Sequence, residues 1–165
     1  MNVAKSHGDA AIIIGLVSDT HGLVRHGVFE ALHGVSRIFH AGDVGGRSVL
    51  DELEAIAPVI AVYGNVDPPG PPLEARHVAE VGELTLHLSH GHELGSPTPD
   101  KLLDRYSGDV LVYGHTHRAL VHRRGDRLVI NPGAAGPKRF NVLPSVARLT
   151  IAGRHAEVEI VQLRA

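Results

Sequence analysis

The sequence predicts an α/β protein: a β-sandwich of two stacked sheets, flanked by helices on its outer faces. Short apolar runs of strand length alternate with helix-length amphipathic segments in the first half of the 165-residue chain. Hairpin patterns follow in the second half. The last two segments alternate apolar and polar residues, which indicates strands with one covered face.

The first half has the β-α-β-α-β order that is typical of a parallel sheet with covering helices. Its predicted elements are a strand at residues 11–17, a helix at 23–32, a strand at 37–40, a helix at 48–57 and a strand at 59–63. The second helix ends before Pro58 because proline disfavours helical backbone in the residue before it. The apolar residues expected to face inward from the first helix are Leu23, Val28, Phe29 and Leu32.

The second half predicts mainly antiparallel pairs. The predicted elements are a hairpin of residues 75–81 and 84–89, a helix at 98–106, a strand at 110–113, a hairpin of 120–124 and 127–130, and strands at 145–151 and 156–163. The second hairpin turns at Gly125-Asp126, which is favourable turn chemistry. Thr98 or Pro99 opens the helix, and Gly108 follows its end.

The length suits one domain with a sizeable core. We predict a single domain over residues 10–165 and a flexible segment at residues 1–9, which does not resemble a signal peptide. The prolines of residues 68–72 are expected to form a stiff loop, not a domain boundary.

Composition excludes several classes of function. The net charge of -2 argues against a broad nucleic-acid-binding surface. The chain has no cysteine, which excludes disulfides, thiolate zinc sites and cysteine nucleophiles. The longest apolar run near the N-terminus, residues 10–17, is too short to span a bilayer, so no membrane association and a cytoplasmic location are expected. The 13 histidines, spread along the chain, suggest metal chemistry.

Polar side chains that can bind metals follow the predicted strands directly. They are Asp19, His21, Asp43, Asn65, Asp67, His90, His92, His115 and His117. Each of these turns is ordinary when taken alone, since Asp, Asn and Gly are common in caps and turns. Ligands of open α/β sheets, however, bind outside the carboxyl ends of the strands. The combination therefore predicts a site at this edge.

The ligand types narrow the choice of metal. Without Asp67 and His92, the set has two carboxylates, one amide and four imidazoles and no sulfur. Such ligands suit Mn²⁺, Fe, Zn²⁺, Ni²⁺ or Co²⁺ and disfavour Ca²⁺. Seven ligands are too many for one ion with open positions. Two ions that share a carboxylate fit better, and ions about 3.5–4 Å apart can clamp a phosphoryl group during in-line displacement.

At this point the sequence resembles a known family. The ordered motifs Asp19-x-His21, Gly42-Asp43, Gly64-Asn65, His90 and Gly114-His115-x-His117 are similar to those of the calcineurin-like metallophosphoesterases. The short length and the motifs GNVD, SHGH, GHTH and NPGA resemble the small prokaryotic phosphodiesterase subgroup. The resemblance runs from about Ile12 to the C-terminus. It implies a four-layer α/β/β/α fold and hydrolysis of a small phosphodiester or phosphomonoester.

The resemblance also implies a role for each residue. Asp19, His21 and His117 would hold one ion, and Asn65, His90 and His115 a second. Asp43 would bridge both ions, and a hydroxide between them would attack the phosphorus. Asp43 and Asn65 are thus the candidate catalytic residues, with Asn65 near the phosphate. Mn²⁺ is the first choice for both ions.

Weaker candidates surround this set. His92 and the loop of residues 133–136 are expected at the substrate rim, where His92 would contact either the substrate or a ligand. Asp67 would orient a ligand histidine or a water. For the NPGA motif at residues 131–134, a plain strand-ending turn is the alternative to a direct role.

One position departs from the family. Many members have histidine after Gly-Asn, where it is placed to protonate the leaving oxygen or to stabilise its charge, but this chain has Val66. A general acid contributes about 10² to 10⁴ in rate. We therefore expect a preference for good leaving groups, such as aryl phosphates, some diesters and nucleotide-type linkages.

Two other hypotheses stay open at this stage. The small subunit of the retromer complex resembles this family and is thought to act as a scaffold, so a non-catalytic interaction protein is one alternative. A mononuclear metal-binding or hydrolytic protein of unrelated fold is the other. The family often forms dimers or larger assemblies, and the sequence leaves homo-oligomerisation open.

Overall fold

The computed structural model describes residues 10–139 and 141–164. The predicted flexible segment of residues 1–9 lies outside this part. The elements are β1 (Ile12–Val17), α1 (His26–Ala31), β2 (Arg37–His40), α2 (Arg47–Glu54), β3 (Val59–Ala61), β4 (Arg76–Val81), β5 (Leu84–Ser89), a 3₁₀ turn (His92–Leu94), α3 (Pro99–Arg105), β6 (Val110–Val112), β7 (Leu120–Arg124), β8 (Arg127–Asn131), β9 (Ser145–Ala152) and β10 (His155–Gln162). None of the helices described is long and apolar enough to cross a lipid bilayer.

The strands form two mixed sheets of five strands each. The first sheet has the order β10-β9-β1-β2-β3, in which β1, β2 and β3 are parallel and β9 runs antiparallel to β1. The second has the order β4-β5-β6-β8-β7, with β5, β6 and β8 parallel and an antiparallel strand at each edge. The predicted two-sheet α/β sandwich is confirmed.

The inner faces of the two sheets form the main core. Leu16 and Phe39 from the first sheet and Leu88 and Ile130 from the second belong to one buried apolar cluster. Because alternate residues of a strand point to opposite faces, each strand also supplies an outer set. The outer set of the first sheet packs against α1 and α2, through residues that include Ile38, Val28 and Leu53.

The outer face of the second sheet is covered by α3. Leu102, Leu103 and Tyr106 pack on Leu111 and Val129. The Thr98 side chain caps this helix by accepting a hydrogen bond from the Lys101 N–H at 3.2 Å, and Pro99 is its first residue. The order of layers is thus helix, sheet, sheet, helix.

The first two helices are shorter than predicted. We expected Leu23 to face inward from a helix at residues 23–32, and this was wrong: α1 begins at His26, and Leu23 is 40% exposed. The Leu23 N–H donates to the Thr20 carbonyl in a turn that carries the chain away from the site. The helix α2 ends at Glu54, and residues 55–57 form a turn before Pro58.

One buried histidine belongs to the outer layer. His87 of β5 stacks on Tyr106 with ring centroids 4.1 Å apart. Both of its ring nitrogens are buried and have no hydrogen-bond partner among the residues described. Burial, aided by the positive charge of Arg76, lowers the pKa of His87 to about 4.

This depressed pKa couples the stability of the fold to pH. Above its ordinary pKa of about 6.5, His87 is neutral in the folded and the unfolded chain. Between this pH and its folded pKa of about 4, only the unfolded chain takes up the proton, so the fold loses stability as the pH falls. Between pH 7 and pH 5, we expect the unfolding free energy of wild type to fall by about 2 kcal/mol more than that of His87→Phe. The variant keeps an aromatic ring against Tyr106 but has no group that titrates. Urea denaturation at the two pH values measures this. An identical pH dependence in both proteins would contradict it.

Candidate metal centre

The loops after β1, β2, β3, β5 and β6 meet at one end of the sandwich. Backbone hydrogen bonds join them in pairs: the Asp19 N–H donates to the Gly42 carbonyl at 3.0 Å, and the Gly114 N–H to the His90 carbonyl at 3.0 Å. The loop of β1 is thereby joined to that of β2, and the loop of β5 to that of β6. The seven predicted ligands all lie on these loops.

The carboxylate of Asp19 connects the two sheets. Its Oδ2 accepts hydrogen bonds from the Ser18 hydroxyl at 2.6 Å and from the His115 backbone N–H at 3.1 Å. Its Oδ1 faces the imidazoles and lies 3.2 Å from His117 Nε2 and 3.7 Å from His21 Nε2. Oδ2 therefore makes the hydrogen bonds that join the loops, and Oδ1 remains available to bind a metal ion.

Asp43 divides its oxygens in the same way. Its Oδ1 accepts the Val66 N–H at 3.0 Å, which ties the loop of β2 to the loop of β3. Its Oδ2 lies 3.2 Å from His90 Nε2 and 3.6 Å from His21 Nε2. The second oxygen therefore faces imidazoles from both halves of the predicted ligand set.

Asn65, His90 and His115 form the other half. The Asn65 Oδ1 lies 3.0 Å from His90 Nε2 and 3.1 Å from His115 Nδ1. The other ring nitrogen of His90, Nδ1, donates to the Ala41 carbonyl at 2.8 Å. A carbonyl can only accept, so Nδ1 carries a proton, and in the neutral imidazole Nε2 is the lone-pair atom that faces the site.

The residues fit metal ions. Asp19, His21 and His117 place three ligand atoms within 4.8 Å of one another, as do Asp19, Asp43 and His90. In the part of the chain that the structure describes, Asp19 Oδ1 and His21 Nε2 are buried without a hydrogen-bond partner. Buried polar atoms of this kind are costly unless something satisfies them, and a cation between them would do so.

The first trio matches the predicted ligands of one ion. The second contains Asp19 in addition to Asp43, so both carboxylates lie between the two groups of imidazoles. The bridging role of Asp43 remains a prediction.

The electrostatics favour bound positive charge. Burial opposes ionisation of Asp19, but the imidazoles of His117 and His21 outweigh it and hold the pKa of Asp19 well below its usual range. Burial also opposes ionisation of Asp43, yet His90 and the Val66 N–H lower its pKa. Both carboxylates are therefore ionised at neutral pH.

The backbone of the site is strained. The non-glycine residues described with a positive φ are Asp19 (53°), His21 (46°), Asp43 (55°), His115 (71°) and His117 (64°). All are candidate ligands. This left-handed conformation is uncommon outside glycine and is maintained only where the surroundings impose it. It turns the side chains of neighbouring residues towards one centre.

Two glycines of the motifs provide space for the carboxylates. A Cβ at Gly64 would overlap Asp43 Oδ1, and a Cβ at Gly114 would overlap the Ser18 hydroxyl and approach Asp19 Oδ2. Any side chain at either position would displace a candidate ligand. The glycines before Asn65 and His115 are thus required for steric reasons.

Sequence reasoning missed the role of His40, which is fully buried beneath the site. Its Nδ1 accepts the Gly42 N–H at 3.1 Å, so its Nε2 donates to the Thr20 hydroxyl at 2.9 Å. The Thr20 hydroxyl in turn donates to the Val44 carbonyl at 2.7 Å. Burial lowers the pKa of His40 to about 4, so it is neutral and holds the loops of Asp19 and Asp43 together. Its position as the last residue of a buried strand was the available signal.

The first residue of the NPGA motif supports the loop that carries His115 and His117. The side chain of Asn131 donates to the Gly114 carbonyl at 3.1 Å and to the Thr116 hydroxyl at 3.0 Å, which braces the bend between His115 and His117. We expected residues 133–136 at the substrate rim, but they are buried. The exposed residues of this loop are the next ones, 137–139.

The two remaining predicted residues lie beside the centre. The Asp67 carboxylate accepts backbone N–H groups of Gly64 at 2.9 Å, Val44 at 3.0 Å and Gly45 at 3.1 Å. It orients two loops, whereas we expected it to orient a histidine or a water. The His92 ring lies 5.3 Å from that of His90, on the partly exposed rim, where its proposed contact with substrate remains a prediction.

With this geometry established, residues 12–154 match the calcineurin-like phosphoesterase superfamily domain. The chain belongs to this superfamily. The resemblance inferred from the motifs is confirmed, and with it the expectation of a metal-dependent phosphoesterase.

Relatives and structures agree with this membership. A probable metallophosphoesterase of Methanothermobacter thermautotrophicus is 35% identical over 162 residues, which are 92% of each chain. A phosphodiesterase of Methanocaldococcus jannaschii is 30% identical over 141 residues, or 73% of this chain and 82% of the relative. The structure of vacuolar protein sorting 29 from Cryptosporidium parvum shares the fold, with a TM-score of 0.78, 21% identity and coverage of 95% of this chain and 100% of that one.

The central position of Asp43 generates a prediction about metal binding. We expect Asp43→Asn, which keeps the side-chain shape but removes the charge, to weaken Mn²⁺ binding at least about tenfold and to lower activity in parallel. Isothermal titration calorimetry and hydrolysis of an aryl diester measure the two effects. Asp126→Asn, at an exposed hairpin turn, is the matched control. Full metal binding and turnover in Asp43→Asn would refute the role of this residue.

Proposed function

We propose that this protein is a dinuclear-metal-dependent phosphodiesterase that favours good leaving groups. The observation that carries the proposal is the pair of overlapping ligand groups, Asp19 with His21 and His117 and Asp19 with Asp43 and His90. In the part of the chain that the structure describes, Asp19 Oδ1 and His21 Nε2 are buried there without hydrogen-bond partners. The phosphodiesterase from Methanocaldococcus jannaschii supports the class of substrate. Mn²⁺ as the metal and the cytoplasm as the location stay predictions.

The candidate ligands would form two groups, one for each ion. Asp19, His21 and His117 would hold one ion, Asn65, His90 and His115 the other, and Asp43 would contact both. When bound, two such ions lower the pKa of water towards neutrality and neutralise charge that develops on the phosphoryl oxygens.

Asn65 is the residue best placed to orient the scissile phosphate. Its Oδ1 faces two imidazoles, so its Nδ2 is the atom left to donate a hydrogen bond to a phosphoryl oxygen. The backbone on each side of it is held, by Asp67 at Gly64 and by Asp43 at Val66. A side chain fixed in this way can orient the phosphate without further rearrangement.

Val66 determines which esters the site handles well. Its side chain is 55% exposed beside the centre, and its backbone is fixed to Asp43. A valine cannot donate a proton, so the leaving oxygen departs with its negative charge unless water protonates it. The rate should therefore depend steeply on the pKa of the leaving group.

Val66→His tests the leaving-group argument. We expect the new imidazole to raise kcat/KM for poor, alkyl leaving groups by about tenfold or more, and for p-nitrophenyl esters by much less. A series of diesters with leaving groups of graded pKa measures this. Val66→Phe is the control, because it adds an aromatic ring that cannot donate a proton to the leaving oxygen. Equal gains across the series would sink the argument.

The activity itself is tested on metal-stripped protein reconstituted with Mn²⁺, Ni²⁺, Fe²⁺, Zn²⁺ or Co²⁺ in turn. We expect hydrolysis of phosphodiesters, with phosphomonoesters as the comparison. The alternative is a non-catalytic scaffold, to which the likeness with vacuolar protein sorting 29 draws attention, although at 21% identity that likeness shows the fold alone. Failure to hydrolyse either class of ester with any ion would favour the scaffold.

A further inference from the structure

Three exposed cationic side chains line two adjoining clefts, one of which includes His117. Lys138 and Arg139 line the same small cleft as His117, and Arg118 lines the neighbouring cleft, which shares two lining residues with the first. We call Arg118, Lys138 and Arg139 the basic rim. None of these residues belongs to the predicted ligand set, and the hydrolysis proposed above does not use them.

The charges of the basic rim are unpaired. Among the residues that the structure describes, every other arginine and lysine except Arg164 makes a side-chain hydrogen bond, an ion pair or a contact over an aromatic ring. Within the same residues, no carboxylate lies within 4.0 Å of the charged groups of the rim. A chain with a net charge of -2 thus has three unpaired cations on two adjoining clefts.

The loop that carries two of these charges is anchored to the metal centre. The Ala135 N–H donates to the Ser18 carbonyl at 2.9 Å, and the Gly136 N–H to the Asp19 carbonyl at 3.2 Å. Gly136 packs so closely on the Thr20 backbone that a Cβ would overlap it. Arg25 adds a hydrogen bond from its Nε to the Gly136 carbonyl at 2.8 Å. The start of the exposed segment at residues 137–139 is therefore fixed relative to Asp19.

The two sides of the centre differ in character. The side of Asn65 presents the exposed valine at position 66, whereas the side of His117 presents the basic rim. An uncharged leaving group suits the first side. A group with negative charge of its own suits the second, since arginine binds phosphate oxygens in pairs and lysine adds a mobile charge.

We propose that Arg118, Lys138 and Arg139 form a subsite for a second phosphate group, carried by the part of the substrate that remains on the scissile phosphate. This inference rests on the proposed phosphodiesterase function and names its substrate class more closely: phosphodiesters that bear a further phosphate. The valine side then receives the departing group.

A matched pair of esters tests the subsite. One is the p-nitrophenyl ester of thymidine 5′-phosphate, and the other is the same ester with an added 3′-phosphate. We expect wild type to prefer the second by about tenfold in kcat/KM, since hydrogen bonds to charged groups are among the stronger ones. Arg118→Gln and Arg139→Gln should each lower this preference about three- to tenfold.

Binding and control variants complete the design. Thymidine 3′,5′-bisphosphate should bind more tightly than thymidine 5′-phosphate by calorimetry, and the difference should shrink in both variants. Arg154→Gln makes the same change of charge at the β9–β10 turn, at the far end of the sheet from the site, and should keep the full preference.

The outcomes separate this inference from the proposed function. Equal rates for the two esters in wild type, or an unchanged preference in both rim variants, would overturn the subsite and leave the phosphodiesterase standing. Hydrolysis of neither ester with any of the five ions would overturn the proposed function and the subsite with it.

Discussion

The rest of the site depends on the way Asp19 shares its two carboxylate oxygens. Oδ2 is held by the Ser18 hydroxyl and by the backbone N–H of His115, which lies in the loop after β6 of the other sheet. Oδ1 is thereby aimed at His117 and His21. The same carboxylate thus joins the two sheets and offers an oxygen to a cation. Burying such a charge is expensive unless it is paired, so the fold and a bound ion are expected to stabilise each other.

The other features of the centre follow from this constraint. Carboxylates can sit this deep only where neighbouring backbone lacks a Cβ, which is why Gly64 and Gly114 precede Asn65 and His115. The candidate ligands can converge only with unusual backbone, which is why five of them have a positive φ. Such strain needs support, and His40, Asp67 and Asn131 supply it through hydrogen bonds to the surrounding loops. These supporting residues are all buried.

Sequence reasoning was most successful where a local pattern has a single physical meaning. Apolar runs and turn residues located the strands of both sheets, and the strand ends located the candidate ligands. It failed where distant segments decide the outcome. Leu23 is apolar but exposed, because a turn at Thr20 delays the start of α1. The sequence suggests that Asp67 orients a ligand histidine or a water, but its oxygens accept hydrogen bonds from three backbone N–H groups of two loops. Nothing in the local sequence shows those groups.

By itself the sequence determined the class of the protein: an α/β sandwich with carboxylate, amide and imidazole side chains after its strands, and a valine where a proton donor is usual. These are matters of residue type, order and spacing, which need no coordinates. Only the tertiary structure decided which oxygen of each carboxylate is free, which ring nitrogen of His90 donates to Ala41 and which cations are unpaired in the clefts at and next to His117. Those properties arise from contacts between residues far apart in the chain, and folding alone brings such residues within hydrogen-bonding distance.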